Sequence, residues 1–426
     1  IIVFITSKQI IVTEVIVLEI IGERNTAVVY GEIIDECAVS QIEEICNHPA
    51  FENSRIRIMP DGHAGRCCVI GFTCVTSNRM IVPNIVGVDI GCGILTTVFT
   101  ADREIDYRAL DTFIRSNIPS GMEIHDSVSD TVAENTALIA KVNGICDVIG
   151  ESADVDYHLR SIGTLGGGNH FIEIDRLNNG NYALTVHTGS RNLGKRICGY
   201  FQSNASVIDT ELRRSILLMH RSATTSEEHE EIDRRAAQIA PVSKELAFIT
   251  GERYDSYISC MLDAKALAAF NRTVISDRIM SFLAEEYGVE IKDRFDTVHN
   301  YIDWYDDTHT SVVIRKGAIS ARKGERMVIP LNMRDGIIIA HGRGNEEWNC
   351  SAPHGSGRAY SRSDARITFT LEEYAEEMDG VNTWSVSEST IDECPMAYKP
   401  SEMIIGSIGD TVEIESIAHT VYNFKA

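Results

Sequence analysis

Five segments between Met59 and Arg358 share one design: an apolar stretch runs into glycine, and the turn presents a histidine, cysteine or carboxylate. They are Met59-Pro60-Asp61-Gly62-His63-Ala64-Gly65, Val88-Asp89-Ile90-Gly91-Cys92-Gly93, residues 163–173, Val186-His187-Thr188-Gly189-Ser190-Arg191, and a two-part segment, Val298-His299-Asn300-Tyr301 with residues 352–358. Side chains so far apart in the chain can act together only where one folded unit gathers them. Length alone would allow two or three domains at roughly 150 residues each. No internal repeat, low-complexity tract or Pro/Gly/Ser-rich linker divides the 426 residues, however, so one large α+β unit is expected.

The apolar pattern supplies its elements. β-Branched runs predict strands in residues 1–35, at Ile10-Ile11-Val12, Val15-Ile16-Val17 and Ala27-Val28-Val29-Tyr30. Residues 85–99 form an apolar run broken by glycines, which predicts a buried strand leading into a tight loop that carries Asp89 and Cys92. Residues 208–287 read as a helical excursion. Residues 227–235 are densely charged, and Ile258, Leu262, Ala266, Ala269 and Phe270 recur every three or four positions. That predicts an amphipathic helical pair broken near Pro241. Short strands and glycine-rich turns return over 312–369.

Composition limits the partners. With 39 basic against 62 acidic residues the net charge is −23, so the chain is not expected to coat nucleic acid non-specifically or cling to an anionic membrane. A nucleic acid would have to be gripped through a local basic site or bound cations. Eleven cysteines, an odd number without a CxxC, suggest no disulfide framework and a reducing, cytoplasmic home. Lys8, Glu14 and Glu19 interrupt the apolar N-terminal stretch, which predicts neither a membrane span nor a secretory signal.

Glycines 91 and 93 would let the backbone turn so that Asp89 and Cys92 face one spot. Joined by the imidazoles of His170, His187 and His299, they make a ligand set for Mn, Fe, Co or Zn. Cys92 could equally be a small buried hydrophobe, and each histidine a satisfied core residue, since no compact motif such as HExxH decides. Gly166-Gly167-Gly168 before Asn169-His170 reads either as a phosphate cradle or as a flexible turn. His354, between Pro353 and Gly355-Ser356-Gly357-Arg358, suits nucleophilic attack on phosphorus.

Taken in order, PDGHAG, VGVDIGCG, GGGNHFIE, HTGSRNLG, VHNY, RKGAI, SAPHGSGR-AYSR and the late Glu393-Cys394-Pro395-Met396-Ala397-Tyr398-Lys399 resemble the RtcB family of GTP-dependent RNA-splicing ligases. Leu262-Asp263 and Asn271-Arg272 fit as well. The resemblance implies a single RtcB-like domain over 19–426, with mixed β-sheets around a central metal cleft and residues 1–18 as an N-terminal extension or first strand. It implies a two-manganese centre: Cys92 bridges both ions, His187 and His299 complete one shell, and Asp89 and His170 hold the other ion. His354 matches the histidine that becomes guanylylated. Asn169, Phe171, Glu173, Asn300, Gly355, Tyr398 and Lys425 fall where the family contacts GTP, with Tyr398 stacking on guanine. Asp61 matches a carboxylate that assists sealing, and Arg191 and Arg358 would steady phosphates.

The activity so implied joins an RNA 3′-phosphate or 2′,3′-cyclic phosphate end to a 5′-hydroxyl, in tRNA splicing or RNA repair. The partners would be cleaved tRNA or other broken RNA and an archease-type activator, with no membrane. Two other readings use the same residues: a metal-dependent RNA phosphohydrolase or cyclic phosphodiesterase, and an inactive RNA- or nucleotide-binding relative. His354 discriminates, because a hydrolase needs no covalent nucleotide carrier. Two departures suggest a divergent bacterial-type branch: Gly62, where the family carries a bulkier residue and whose smallness would loosen the loop, and Pro330-Leu331-Asn332-Met333-Arg334-Asp335-Gly336.

Overall fold

A computed structural model describes residues 17–31, 35–208, 210–237 and 241–425. In chain order its strands begin with β1 (Val17–Ile21), β2 (Thr26–Tyr30), β3 (Arg55–His63), β4 (Ile70–Thr76) and β5 (Gly93–Ala101). They continue with β6 (Phe171–Arg176), β7 (Tyr182–Thr188), β8 (Val289–Val298), β9 (Asn300–Trp304) and β10 (Val312–Lys316). β11 (Ala318–Ser320), β12 (Arg326–Pro330), β13 (Ile337–Gly342), β14 (Ser351–Pro353) and β15 (Val412–Lys425) follow.

These strands build a six-stranded sheet in the order β1-β2-β3-β4-β10-β9 and a seven-stranded sheet in the order β12-β13-β15-β6-β7-β5-β8. β11 and β14 form a small pair. The larger sheet nearly closes on itself. Its outermost strands meet where the Val328 N–H donates to Thr297 Oγ1 at 3.1 Å and Arg326 pairs with Asp293.

Side chains alternate across this curled sheet, as strand geometry requires. Ile94, Phe171, Ala183, Val328, Ile337, Ile339 and Ala418 form an inner apolar cluster. Ile172, Ile174, Leu184 and Val186 instead pack outward on Leu110 and Ile114 of the helix Tyr107–Asn117 and on Ile275, Ile279 and Leu283 of the long helix Gly251–Tyr287. The first half of that helix joins a different core: Tyr257, Met261 and Ala264 pack with the six-stranded sheet.

Because the long helix serves two cores, its buried positions do not form the single stripe expected. Ile258 is buried and Leu262, Ala269 and Phe270 are partly so, but Ala266 is exposed and Met261, Ala264, Leu267 and Ala268 carry the packing. Among the described residues the excursion holds three α-helices rather than a pair, Thr210–Ser222 and Ser226–Ala237 preceding the long one. Pro241 lies between the second and third.

The expected strand before Asp89 is a short helix, Pro83–Val86, started by Pro83 and ended by Gly87 at φ 86°. The apolar strand comes after the turn, as β5. Residues 362–368 are likewise helical, with Ser361 capping through a hydrogen bond from the Asp364 N–H. The strand readings at 10–12 and 15–16 lie outside the described residues, and Val17 opens β1. No described helix is long and apolar enough to cross a membrane.

Candidate active site

The sheet register brings the separated segments together. β5 lies between β7 and β8, and Gly93 stands opposite both Thr188 and Val298. Cys92, His187 and His299 are therefore neighbours at one end of the sheet, and His170 enters just before β6, where Phe171 faces His187. Close packing demands glycine at 93, since a Cβ there would lie 2.5 Å from the Thr297 carbonyl oxygen.

Two ligand triads result, Cys92–His187–His299 and Asp89–Cys92–His170, each with its donor atoms within 4.8 Å of one another. Cys92 belongs to both. Its Sγ lies 3.2 Å from His187 Nε2 and 3.5 Å from His170 Nε2. His187 Nε2 is 3.4 Å from His299 Nε2, and His170 Nε2 is 3.0 Å from Asp89 Oδ2. Backbone carbonyls orient the rings: His170 Nδ1 meets Leu165 O at 2.8 Å and His187 Nδ1 meets Asn169 O at 3.1 Å, leaving both Nε2 atoms aimed at the sulfur.

The electrostatics suit a cation. Burial, then the neighbouring histidines, push His187 and His299 well below the usual imidazole range, so both are neutral donors. Burial works against ionisation of Asp89, but the adjacent His170 outweighs it and holds the carboxyl at about 2. Burial and the Asp89 charge push the Cys92 thiol well above its ordinary value. A thiolate there needs positive charge beside it, which is what a metal supplies. One sulfur, three imidazoles and a carboxylate, with the sulfur common to both triads, fit a borderline divalent ion or a pair of them.

Two adjacent residues on the long helix, quoted above only as family-like, brace these loops. Arg272 is fully buried; it grips Asp296 bidentately at 2.7 Å and donates to the carbonyls of Gly91 and Thr188 at 2.8 Å each. Asn271 accepts from the Gly163 N–H at 2.7 Å and donates toward the carbonyls of Thr164 and Gly189. Sequence reasoning assigned neither a role. The available signal was two polar residues in a run of otherwise apolar buried positions.

His354 stands beside the candidate metal ligands, its ring centroid 4.9 Å from that of His299. It follows β14, and Asp61 Oδ2 holds it twice, accepting from the backbone N–H at 3.1 Å and from Nδ1 at 2.6 Å. Nε2 is thereby the free nitrogen. Asp61 rides on an irregularity of β3 between Ile58 and His63. Gly62 does not leave that loop loose: Lys399 Nζ donates to the carbonyls of Pro60 at 3.0 Å and Gly62 at 2.8 Å. His63, not singled out from sequence, also lines the cavity, and burial pulls it down to about 4 despite its bond to the Asp61 carbonyl.

A cavity of about 900 Å³ joins His354 to an aromatic and charged wall. Asp89, Cys92, His187, His299 and His354 are among its lining residues, together with Asn169, Phe171, Glu173, Asn300, Gly355, Arg358, Tyr398 and Lys425. Glu393, quoted in sequence without a role, organises that wall. It accepts from Tyr398 Oη at 2.6 Å and pairs with Lys425, Arg362 and Arg358. Burial opposes its charge, but Lys425 and Arg362 prevail and keep it at about 2. Asn300 ties the ligand loop to β10, accepting from the Gly317 N–H at 2.9 Å.

Arg191 is not among the residues lining the cavity. Its Nε donates to Thr164 Oγ1 and its Nη2 to the Gly121 carbonyl, both at 3.0 Å. A Cβ on Gly166 would fall 1.8 Å from its Nη1, so the glycine-rich loop is a close wrap around this arginine. The divergent 330–336 loop closes on itself: Asn332 Oδ1 accepts from the N–H groups of Arg334 and Asp335, and Leu331 and Met333 face the cavity.

The sequence model of a family described as tRNA-splicing ligase RtcB matches residues 41–426. The RNA-splicing ligase RtcB of Escherichia coli K12 is 30% identical over 387 residues, covering 85% of this chain and 88% of that protein. The tRNA-splicing ligase RtcB of Aeropyrum pernix is 27% identical over 444 residues, covering 85% and 84%. The RNA-splicing ligase RtcB homolog 1 of Entamoeba histolytica is 23% identical over 454 residues, covering 86% and 78%.

Proposed function

Because the chain belongs to the RtcB family of tRNA-splicing ligases, we propose that it joins RNA 3′-phosphate ends to 5′-hydroxyl ends through a guanylylated His354. The observation that carries the proposal is the setting of that histidine. Its Nδ1 is locked by a buried carboxylate, its Nε2 is free, and it shares one cavity with a metal-ligand cluster and a nucleoside-sized wall.

Cys92 would be shared between two divalent ions, manganese by family resemblance, with His187 and His299 on one and Asp89 and His170 on the other. Bound there, the ions supply positive charge to phosphoryl oxygens. Zinc would bind such ligands more tightly on affinity alone, so manganese has to prevail through geometry and supply.

The residues of the chain carry the transfers. His354 Nε2 attacks the α-phosphorus of GTP; an N–P bond forms and pyrophosphate departs with the electrons of the broken P–O bond. Nδ1 keeps its proton, donated to Asp61, so the carboxylate balances the charge that the ring gains. An oxygen of the RNA 3′-phosphate then attacks the phosphoramidate, freeing His354 and leaving the RNA end as a mixed anhydride with GMP. The 5′-hydroxyl of the second strand attacks the RNA phosphorus and GMP leaves. A 2′,3′-cyclic phosphate is hydrolysed first.

Tyr398 offers a ring for the base, Glu173 an acceptor and Lys425 a donor, with Asn169, Phe171, Asn300 and Gly355 completing the nucleotide pocket. Arg358 and Arg191 would steady phosphates, Arg191 from its anchorage on Thr164 and the Gly121 carbonyl.

The test is incubation of the pure protein with manganese and GTP labelled on the α-phosphate, beside His354→Ala. Acid-labile, alkali-stable label on the wild type alone supports the proposal. No label, with metal demonstrably bound, moves the assignment to a metal-dependent phosphohydrolase.

A further inference from the structure

Behind the nucleoside wall, the inner face of β6 carries two carboxyl groups in a row. Phe171, Glu173 and Asp175 alternate inward, and the register sets Lys425, Asn423 and Thr420 of β15 opposite them on one side. His187, Thr185 and Ala183 of β7 stand opposite on the other side. Glu173 and Asp175 are 2% and 0% exposed. The two differ in their partners. Glu173 Oε2 accepts from Asn423 Nδ2, and Lys425 stands one pair further along. Neither oxygen of Asp175 has a well-formed hydrogen bond among the described residues; the neutral Thr420 hydroxyl opposite it is the polar group at hand, and its surroundings are otherwise the apolar inner cluster of Ala183, Val328, Ile337, Ile339 and Ala418.

A carboxylate so placed is costly unless it is paired, and no cation faces it from β7 or β15. Glu173 and Asp175 are next neighbours on that inner face, two residues apart on β6, and two acceptors side by side become a hydrogen bond once they share one proton. We propose that Asp175 is a positioning residue that holds this proton and donates it to Glu173, fixing Glu173 as an anionic acceptor for a nucleobase with a donor edge. Burial accordingly raises both groups, Asp175 well above the usual carboxyl range.

This inference rests on the nucleotide reading above and deepens it to base selectivity. A guanine-type edge presents two adjacent N–H donors to one carboxylate; an adenine-type edge presents an acceptor there and is repelled. Without the donor from Asp175, Glu173 takes up a proton itself and the distinction fades.

The first test is spectroscopic. Aspartate- and glutamate-labelled wild-type protein at neutral pH should show an infrared band of a protonated, buried carboxyl that Asp175→Asn abolishes. Persistence of the band in that variant, or its absence from the wild type, overturns the proposal. The second test compares GTP and ATP as donors of labelled nucleotide to His354. Asp175→Val should raise KM for GTP and shrink the GTP-over-ATP preference by at least about tenfold, as for a lost hydrogen bond to a charged group, with kcat little changed. Asp175→Asn, which still donates, should restore the preference to within about threefold. Unchanged selectivity in Asp175→Val overturns the proposal; should that variant not fold, the infrared comparison with Asp175→Asn decides alone. Failure of the guanylylation reading itself would appear as an unlabelled wild type, a result on which the infrared band does not depend.

Discussion

Replacing Asp61 with asparagine should slow charging of His354 by roughly 30- to 150-fold. One oxygen of Asp61 accepts two hydrogen bonds, from the His354 backbone N–H at 3.1 Å and from Nδ1 at 2.6 Å. The Asp61 side chain is fully buried and that of His354 only 17% exposed, so solvent does little to weaken either bond. An amide oxygen can occupy the same position, which preserves the ring orientation but removes the charge. Hydrogen bonds to a charged group contribute ~1.5–3 kcal/mol against ~0.5–1.5 for neutral pairs. Losing that increment on both bonds costs the developing imidazolium about 2–3 kcal/mol. At about 1.4 kcal/mol per tenfold in rate, that is the range stated. Asp61→Ala, which also strands a buried N–H, should lose more than about a thousandfold and melt lower. Rapid-quench formation of the labelled adduct at saturating GTP and metal measures the step directly. If Asp61→Asn charges His354 within twofold of the wild type while sealing falls, Asp61 acts at sealing and the orientation argument is wrong.

Arg272→Met removes the donor to two ligand-bearing loops and strands Asp296; because Asp296 keeps 28% exposure, the stability loss should be about 2–3 kcal/mol rather than the 3–5 of a fully buried pair. Metal affinity should fall about 10- to 100-fold by calorimetric titration, and unchanged affinity would confine Arg272 to packing the helix on the sheet. Cys92→Ala should drop the metal content from two ions to at most one and abolish the adduct, while His354→Ala binds metal normally; two ions retained in Cys92→Ala would refute the shared ligand. Asp175→Asn should gain stability over the wild type as pH rises. A carboxyl whose folded value is raised keeps its stability at low pH and loses it above the unfolded value of about 3.9, up through the folded value. Thermal melts at pH 5 and pH 8 check this, and a pH-independent difference would rule it out.

The ligand-bearing segments were readable because each is local: glycine turns the backbone and the next side chain points where the turn sends it. Cys92, His170, His187, His299 and His354 needed only that, together with family resemblance. What escaped depends on pairing across the fold. Arg272 and Asn271 sit on a helix whose periodicity is blurred because it faces two cores. Glu393 matters through Lys425, 32 residues away, and Lys399 through the Pro60 carbonyl, 339 residues away, distances that no local pattern records. The turn at Asp89 was assigned to the wrong end of its strand because Pro83, not the apolar run, decides what the preceding residues do. Arg191 is read from sequence as a phosphate contact; that its Nε and Nη2 are anchored on Thr164 and Gly121 is a pairing that no local pattern records.

The position of β15 in the seven-stranded sheet bears on how the protein is made. The strand lies between β13 and β6, two elements well over a hundred residues apart, and no other strand pairs them. Until residues 412–425 are in place, β13 and β6 are open edges rich in Ile and Phe, the kind of surface that recruits other chains. Lys425, which lines the cavity of the candidate site, arrives with the same strand. Closure of the sheet is therefore a late, long-range event of the slow-folding kind. A polypeptide interrupted before residue 412 would be aggregation-prone and would lack the wall of the cavity, so competence for the reaction and protection from misassembly are acquired in one step.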